Sequence, residues 1–231
     1  MEKQFTGVPV SGGVGVGKVR YIDCSCPAFM DRTIYDTDRE LGRFVRTLKI
    51  YCNKTRELMD YIRHSIGISE SHILAGHIQM THDPRMQAEL IRKIGEGKCA
   101  ERATREICDD YITQFLGADV EFVRLIATDV LDVEGSMVRL LMGLDDIDVE
   151  DFGEDTIVVS RELTPSVVAR LDRKHTKGII THVGSCNSHG AVLAKAMNIP
   201  SVIRVENIES LFSDGDVVTV DGDTGEFFLA T

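Results

Sequence analysis

The chain's 231 residues are 43% apolar and 27% charged, an ordinary globular balance with enough apolar surface for a proper core. The net charge of −11 argues against a general nucleic-acid binder, whose phosphate contacts need basic surface, and suits a basic protein partner better. No basic-then-apolar leader opens the chain and no apolar run approaches membrane-spanning length. The expected setting is therefore cytoplasmic, with neither membrane nor nucleic acid as a partner.

Six cysteines, at positions 24, 26, 52, 99, 108 and 186, show neither disulfide nor zinc spacing and read as reduced, mostly structural thiols. Residues 5–22 hold two strand-like runs around Gly12, Gly13, Gly15 and Gly17. No Lys-Ser/Thr pair follows and no helix opens there, so these glycines read as a hairpin or a close backbone crossing rather than a phosphate cradle. From about Thr37 to Gly143 the apolar period becomes helical. Leu41, Phe44, Val45, Leu48, Cys52, Leu58, Tyr61 and Ile62 mark one face of a long helix after an Asp36/Thr37 cap. A second helix runs from near Ser69 to Asp83-Pro84, which restarts the chain. A third ends at Gly95 and Gly97, and two more span about Ala100–Leu116 and Asp119–Met142. Consecutive helices with short links predict a bundle. Between Ser69 and Asp83, His72, His77 and His82 read as solvated surface, and no metal site is expected.

The run Asp145–Asp155 is acidic with no basic residue and reads as a solvated linker or a docking face for a basic partner. Residues 156–231 alternate strand and helix: Thr156–Ser160, a short helix from Pro165, Gly178–His182, a helix from His189, Ser201–Ile203, then Asp216–Val220 and Gly225–Leu229. The first residues must complete this sheet. The expected architecture is an α/β unit made of residues 1–28 and 148–231, interrupted by an all-α helical bundle over residues 29–147.

The chemistry concentrates between Gly178 and Val205. A buried strand leads into the polar turn Gly184-Ser185-Cys186-Asn187-Ser188, and His189 opens a helix whose Val192, Leu193, Ala196 and Met197 share a face. The helix start presents free N–H groups and a positive dipole end, which disfavours an imidazolium and favours phosphoryl oxygens. A neutral ring nitrogen there suits a phosphohistidine intermediate. On local chemistry alone a surface histidine beside a helix cap accounts for the pattern too.

Gly184-Ser185-Cys186-Asn187-Ser188-His189, followed by Ala191–Lys195 and Ile199-Pro200-Ser201-Val202, resembles the phosphohistidine signature of the phosphoenolpyruvate-utilising enzymes, with enzyme I of the bacterial phosphotransferase system as the nearest member. Leu74–Met80, Asp129–Asp132 with Arg139–Leu144, and Leu163–Ser166 resemble further enzyme I segments in the same order. The resemblance covers essentially the whole chain. It implies a swivelling phosphohistidine α/β subdomain with an inserted helical subdomain that docks the carrier protein HPr. It also implies His189 as the phosphoryl acceptor, supported by Asn187, Ser188 and Lys195. His72, His77, Met80 and Asp83 are then expected near the HPr surface.

Departures from the family pattern are Ser185 for a glycine, Asn187 for threonine, Gly190 for a small hydroxyl residue, Lys195 for arginine and Val168 for a threonine that hydrogen-bonds the active histidine. No segment resembles the C-terminal barrel that supplies phosphoenolpyruvate and magnesium binding and the dimer contact. The expectation is a phosphoryl carrier, fragment or stand-alone and monomeric without the barrel, that needs no cofactor of its own and exchanges with an HPr-type partner. A non-catalytic HPr-binding regulator and the phosphohistidine domain of a dikinase or phosphoenolpyruvate synthase are the alternatives.

Overall fold

A computed structural model describes residues 3–230. It divides the chain into two compact units, Met1–Cys24 with Ile147–Thr231, and Ser25–Asp146. The outermost residues of the expected α/β unit, 1, 2 and 231, lie outside the described residues. The first boundary falls after Cys24 rather than after residue 28, and side-chain contacts explain the shift. Arg105 donates from Nη2 to the carbonyl oxygens of Cys26 (3.2 Å) and Pro27 (3.1 Å), and its guanidinium lies over the Phe29 ring. These bonds tie residues 26–29 to the helices. The second boundary falls after Asp146, whose carboxylate accepts from Lys54 Nζ at 2.8 Å.

In the α/β unit, β1 (Lys3–Thr6), β2 (Val8–Ser11), β3 (Val14–Tyr21), β4 (Thr156–Ser160), β5 (Thr176–Thr181), β6 (Ser201–Ile203), β7 (Val217–Asp221) and β8 (Glu226–Leu229) form one sheet. Their order is β1-β8-β7-β3-β4-β5-β6-β2. Three strands, not two, therefore occupy the start of the chain. β1 pairs with β8 and β2 with β6, so the first two strands lie on opposite edges. The glycine cluster serves close approach: a Cβ on Gly15 would lie 1.8 Å from the Lys177 carbonyl oxygen. β3, β4, β5 and β6 run parallel, and all five residues of β4 are buried, as befits a central parallel strand. Val19, Ile157, Val159, Ile180, Val202, Val218, Val220 and Phe227 form the core, with Phe5 stacked on Phe227 at 5.4 Å. Helices α6 (Pro165–Arg170), α7 (His189–Ala196) and α8 (Ile208–Leu211) complete the unit. The short α8 carries no sequence cue beyond Ile208, which it buries.

In the helical unit the hydrophobic period places α1 at Thr37–Ser65, α2 at Ile68–Thr81, α3 at Pro84–Gly95, α4 at Ala100–Leu116 and α5 at Glu121–Met142. Asp36 caps α1 by accepting from Arg39 N (3.0 Å), and Asp83 caps α3 by accepting from Met86 N (2.9 Å) with Pro84 at the first position. Phe44, Tyr51, Met86, Leu90, Ile94, Ile107, Val130 and Met137 fill the core. Among the described residues no helix is long and apolar enough to cross a membrane.

Two charge knots join these helices. Arg43 bonds Glu40 through Nε (3.0 Å) and Nη2 (2.5 Å), Glu101 through Nη2 (2.7 Å), and the Leu141 carbonyl through Nη1 (2.7 Å). Glu40 also accepts from Ala100 N at 2.8 Å, supplying the cap that Cys99 does not give α4. The second knot gathers Lys93, Lys98 and Arg102 on Glu106. Burial alone would raise the Glu106 carboxyl, but the three cations prevail and hold it at about 2.

Arg43→Ala leaves the buried Glu40 and Glu101 carboxylates with only the more distant and half-exposed Arg32 (3.8 and 3.5 Å), and is expected to cost about 3 kcal/mol, read by urea unfolding of the whole chain. Because the Glu106 carboxyl titrates lower folded than unfolded, its contribution is complete above its ordinary value of 4.5 and is lost as pH falls towards about 2. Glu106→Gln is expected to remove that part of the acid dependence of stability.

Candidate active site

β5 stops at Thr181, one residue before its expected end, because the chain turns to bond β6's exit: Val205 N donates to the Thr181 carbonyl (3.0 Å) and His182 Nδ1 lies 2.8 Å from the Val205 carbonyl oxygen. The turn that follows closes on itself. Ser188 N donates to the Ser185 carbonyl (3.1 Å) and Asn187 N to Ser185 Oγ (3.3 Å). Ser188 is the N-cap of α7: its extended backbone turns the chain, and its Oγ accepts from Ala191 N at 3.3 Å. His189 is therefore the first helical residue, half-buried at the positive end of α7. Leu193, Ala194 and Met197 anchor the helix in the unit's interior.

Of the expected supporting residues, Ser188 acts through this cap and Asn187 stands exposed beside it. Lys195, in the last turn of α7, reaches back and donates from Nζ to the Cys186 carbonyl at 2.8 Å. It braces the turn while keeping its charge there. Cys186 fills a small position, its thiol facing the Pro9 carbonyl at 3.7 Å. Gly190 answers a packing demand: a Cβ would lie 2.9 Å from the Leu163 carbonyl oxygen and 3.7 Å from Val168 Cγ2. Val168 is 1% exposed, and with Gly190, Ser188, Ala191, Thr181 and Gly184 it lines a cavity of about 40 Å³ behind the turn.

One contributor escaped the sequence analysis. Arg204 follows β6 directly, has φ +59° and donates from Nε to the Gly184 carbonyl at 3.2 Å. The other positive-φ non-glycine residues among those described are Asn198 and Asn207, a type that enters this region readily. For arginine the conformation costs about 1 kcal/mol.

In the helical unit, His72 and Asp83 are exposed and Met80 is half-buried, whereas His77 is 2% exposed, contrary to the solvated position expected for it. Ser71, Leu74, His77 and Thr81 share the buried stripe of α2, and the stripe meets two acidic positions of α5. His77 Nε2 is 3.5 Å from Asp129 Oδ1, and Nδ1 is 3.9 Å from Asp132 Oδ2. Asp129 and Asp132, one turn apart on an otherwise apolar face, were the available signal.

The acidic run carries its own cations: Arg20 for Asp148, Arg170 for Glu150, Lys18 for Glu154 and Lys177 for Asp155. The Cys26 thiol is pushed up to about 12 by burial and the Glu134 carboxylate, which removes it as a thiolate ligand. Asp151, Asp172 and His175 come within ligand distance of one another, a grouping the sequence did not suggest. Asp172 is committed to local bonds, accepting from the N–H groups of Phe152, Lys174 and His175 and lying 2.6 Å from His175 Nδ1. Although burial opposes it, the His175 bond and these N–H donors keep its carboxyl below the usual range.

An α/β sheet with its first strand group split off by a helical insertion, and a capped histidine after β5, defines a class. Residues 6–124 match the family description "PEP-utilising enzyme, N-terminal", and residues 152–225 match "PEP-utilising enzyme, mobile domain". The chain belongs to the phosphoenolpyruvate-utilising enzyme family. Within that family it corresponds to the N-terminal region of enzyme I. It is 31% identical over 231 residues to the phosphoenolpyruvate-protein phosphotransferase of Lactococcus lactis and 29% identical to that of Enterococcus faecalis. In both cases 99% of this chain aligns with 40% of the relative's length. Two solved structures share the fold: one of enzyme I determined by NMR (TM-score 0.73, 24% identity) and an N-terminal domain of enzyme I-nitrogen (TM-score 0.64, 20% identity). Each covers 97% of this chain and 92% of its own.

Ser188→Ala removes the α7 cap and is expected to lower stability by about 1 kcal/mol, with faster amide exchange in the first turn of α7. Gly190→Ala forces a methyl against the Leu163 carbonyl, and a loss of about 1–3 kcal/mol is expected in thermal unfolding.

Proposed function

We propose that this chain is a phosphoryl carrier of the phosphotransferase system, with His189 as the group that is phosphorylated. The observation that carries the reading is the placement of His189 as the first residue of α7 behind the Ser188 cap, where the helix end favours the phosphoryl oxygens. A ring nitrogen of His189 attacks phosphorus in line. The new P–N bond forms as the donor's bond breaks, and the electron pair leaves with the enolate oxygen of phosphoenolpyruvate or with the imidazole nitrogen of a phosphorylated partner. The reverse step returns the group to a histidine on an HPr-type carrier. The described residues take the exchange with the protein carrier, whichever group supplies the phosphoryl to His189.

Ser188 holds the turn, Lys195 adds positive charge over it, and Asn187 offers an exposed amide. The docking surface proposed for the carrier is the exposed side of α2 and the α2–α3 corner, with His72, Met80 and Asp83. His77 belongs behind this surface, positioning α2 against α5. The second reading, a regulatory module that binds HPr without transfer, draws support from Val168 and Gly190, which bring no hydroxyl to the first turn of α7.

Mixing the chain with phosphorylated HPr is expected to give an acid-labile phosphoryl adduct by intact mass, absent in His189→Ala. Binding of HPr without any adduct on the wild type would leave the regulatory reading in its place.

A further inference from the structure

Arg204 combines three features that its sequence position does not announce. Its backbone holds φ +59°, a conformation that glycine adopts freely and arginine rarely, and such outliers gather where a side chain is needed in a particular direction. It stands immediately after β6, at the carboxyl end of the parallel strands, which is also the end where β5 runs into the His189 turn. Its Nε spends one N–H on the Gly184 carbonyl, which fixes the guanidinium at the start of that turn.

Lys195 bonds the Cys186 carbonyl two residues further on, so a cation grips each side of Ser185. Among the described residues neither cation has a carboxylate at ion-pair distance. In a protein of net charge −11, whose other arginines and lysines are so often paired, two uncompensated cations on one turn describe a site for an anion. The Lys195 ammonium is a point charge, whereas the guanidinium keeps its Nη1 and Nη2 donors in a fork that matches two oxygens of a tetrahedral anion.

We infer that Arg204 is a phosphoryl-binding residue of the His189 site: Nε positions the turn through Gly184, and the Nη1/Nη2 fork holds two oxygens of the phosphoryl group during transfer. The assignment deepens the carrier reading and rests on it.

Two measurements test it separately. The first compares phosphoryl acceptance from phosphorylated HPr by wild type, Arg204→Gly and Arg204→Lys. Glycine takes the positive φ without strain, so Arg204→Gly is expected to melt no lower than wild type while accepting the group roughly 10- to 100-fold more slowly. Arg204→Lys is expected to fall between the two. Equal rates for wild type and Arg204→Gly would overturn the assignment. The second measurement does not depend on transfer. Inorganic phosphate is titrated into the unphosphorylated chain while NMR follows the Arg204 Nε–H signal and the Gly184–His189 amides. Saturable shifts that weaken at least several-fold in Arg204→Gly support the site. Shifts unaltered by that substitution, or none on the wild type, overturn it. A wild type that takes no phosphoryl group yet shows Arg204-dependent phosphate shifts would remove the carrier reading and leave an anion site.

Discussion

β3 hydrogen-bonds to β7 on one side and to β4 on the other, so the middle of the sheet is made of residues from opposite ends of the chain. Neither half buries a complete face without the other: Val19 comes from the first part, and Ile157, Val218, Val220 and Phe227 from the second. This pairing makes the helical unit an insertion between β3 and β4. It also brings β4, β5 and β6 into parallel register, which sends the loops after these strands to one end of the sheet. The His189 turn and Arg204 both lie on such loops, and their meeting at Gly184 follows from β5 and β6 being neighbours.

The helical unit solves a different problem. Its helices enclose an apolar core, but their ends and crossings are fixed by buried or half-buried charge. Arg43 serves Glu40, Glu101 and the last turn of α5 at once, and Glu40 in turn caps α4. Such an arrangement adds little net stability over an apolar one, yet it penalises any helix register that separates the charges. His77 facing Asp129 and Asp132 does the same for α2, whose exposed side is left to other uses.

The turn before His189 is held mainly through its backbone. Ser188 takes the Ala191 N–H, Lys195 takes the Cys186 carbonyl and Arg204 takes the Gly184 carbonyl. Asn187 N also bonds Ser185 Oγ, so the serine that stands where the family pattern has a glycine adds a side-chain bond to the turn while the cap and the histidine remain. Gly190 is required by the Leu163 carbonyl oxygen, 2.9 Å from where a Cβ would stand, while the Val168 methyl at 3.7 Å would be in ordinary contact with it.

Much of this was legible in the residues themselves. Helical period, Asp36 and Asp83-Pro84 place α1, α2 and α3 within a residue or two, and the polar turn before His189 with Ser188 as cap marks the start of α7. Those features are local: each depends on side chains within a few positions, where spacing is a sufficient description. The third N-terminal strand, the burial of His77 and the role of Arg204 depend instead on contacts between distant segments. A period-3.6 pattern puts His77 on a stripe but does not say that Asp129 and Asp132 will face it. Nothing in Ile203-Arg204-Val205 signals a left-handed arginine, whose partner, the Gly184 carbonyl, lies on the loop after a different strand. The sequence by itself determined the elements, the split sheet and the histidine. The tertiary structure alone decided that Arg204 joins Lys195 in bracing the turn before it, since that contact depends on β5 and β6 being neighbours, which no local spacing encodes.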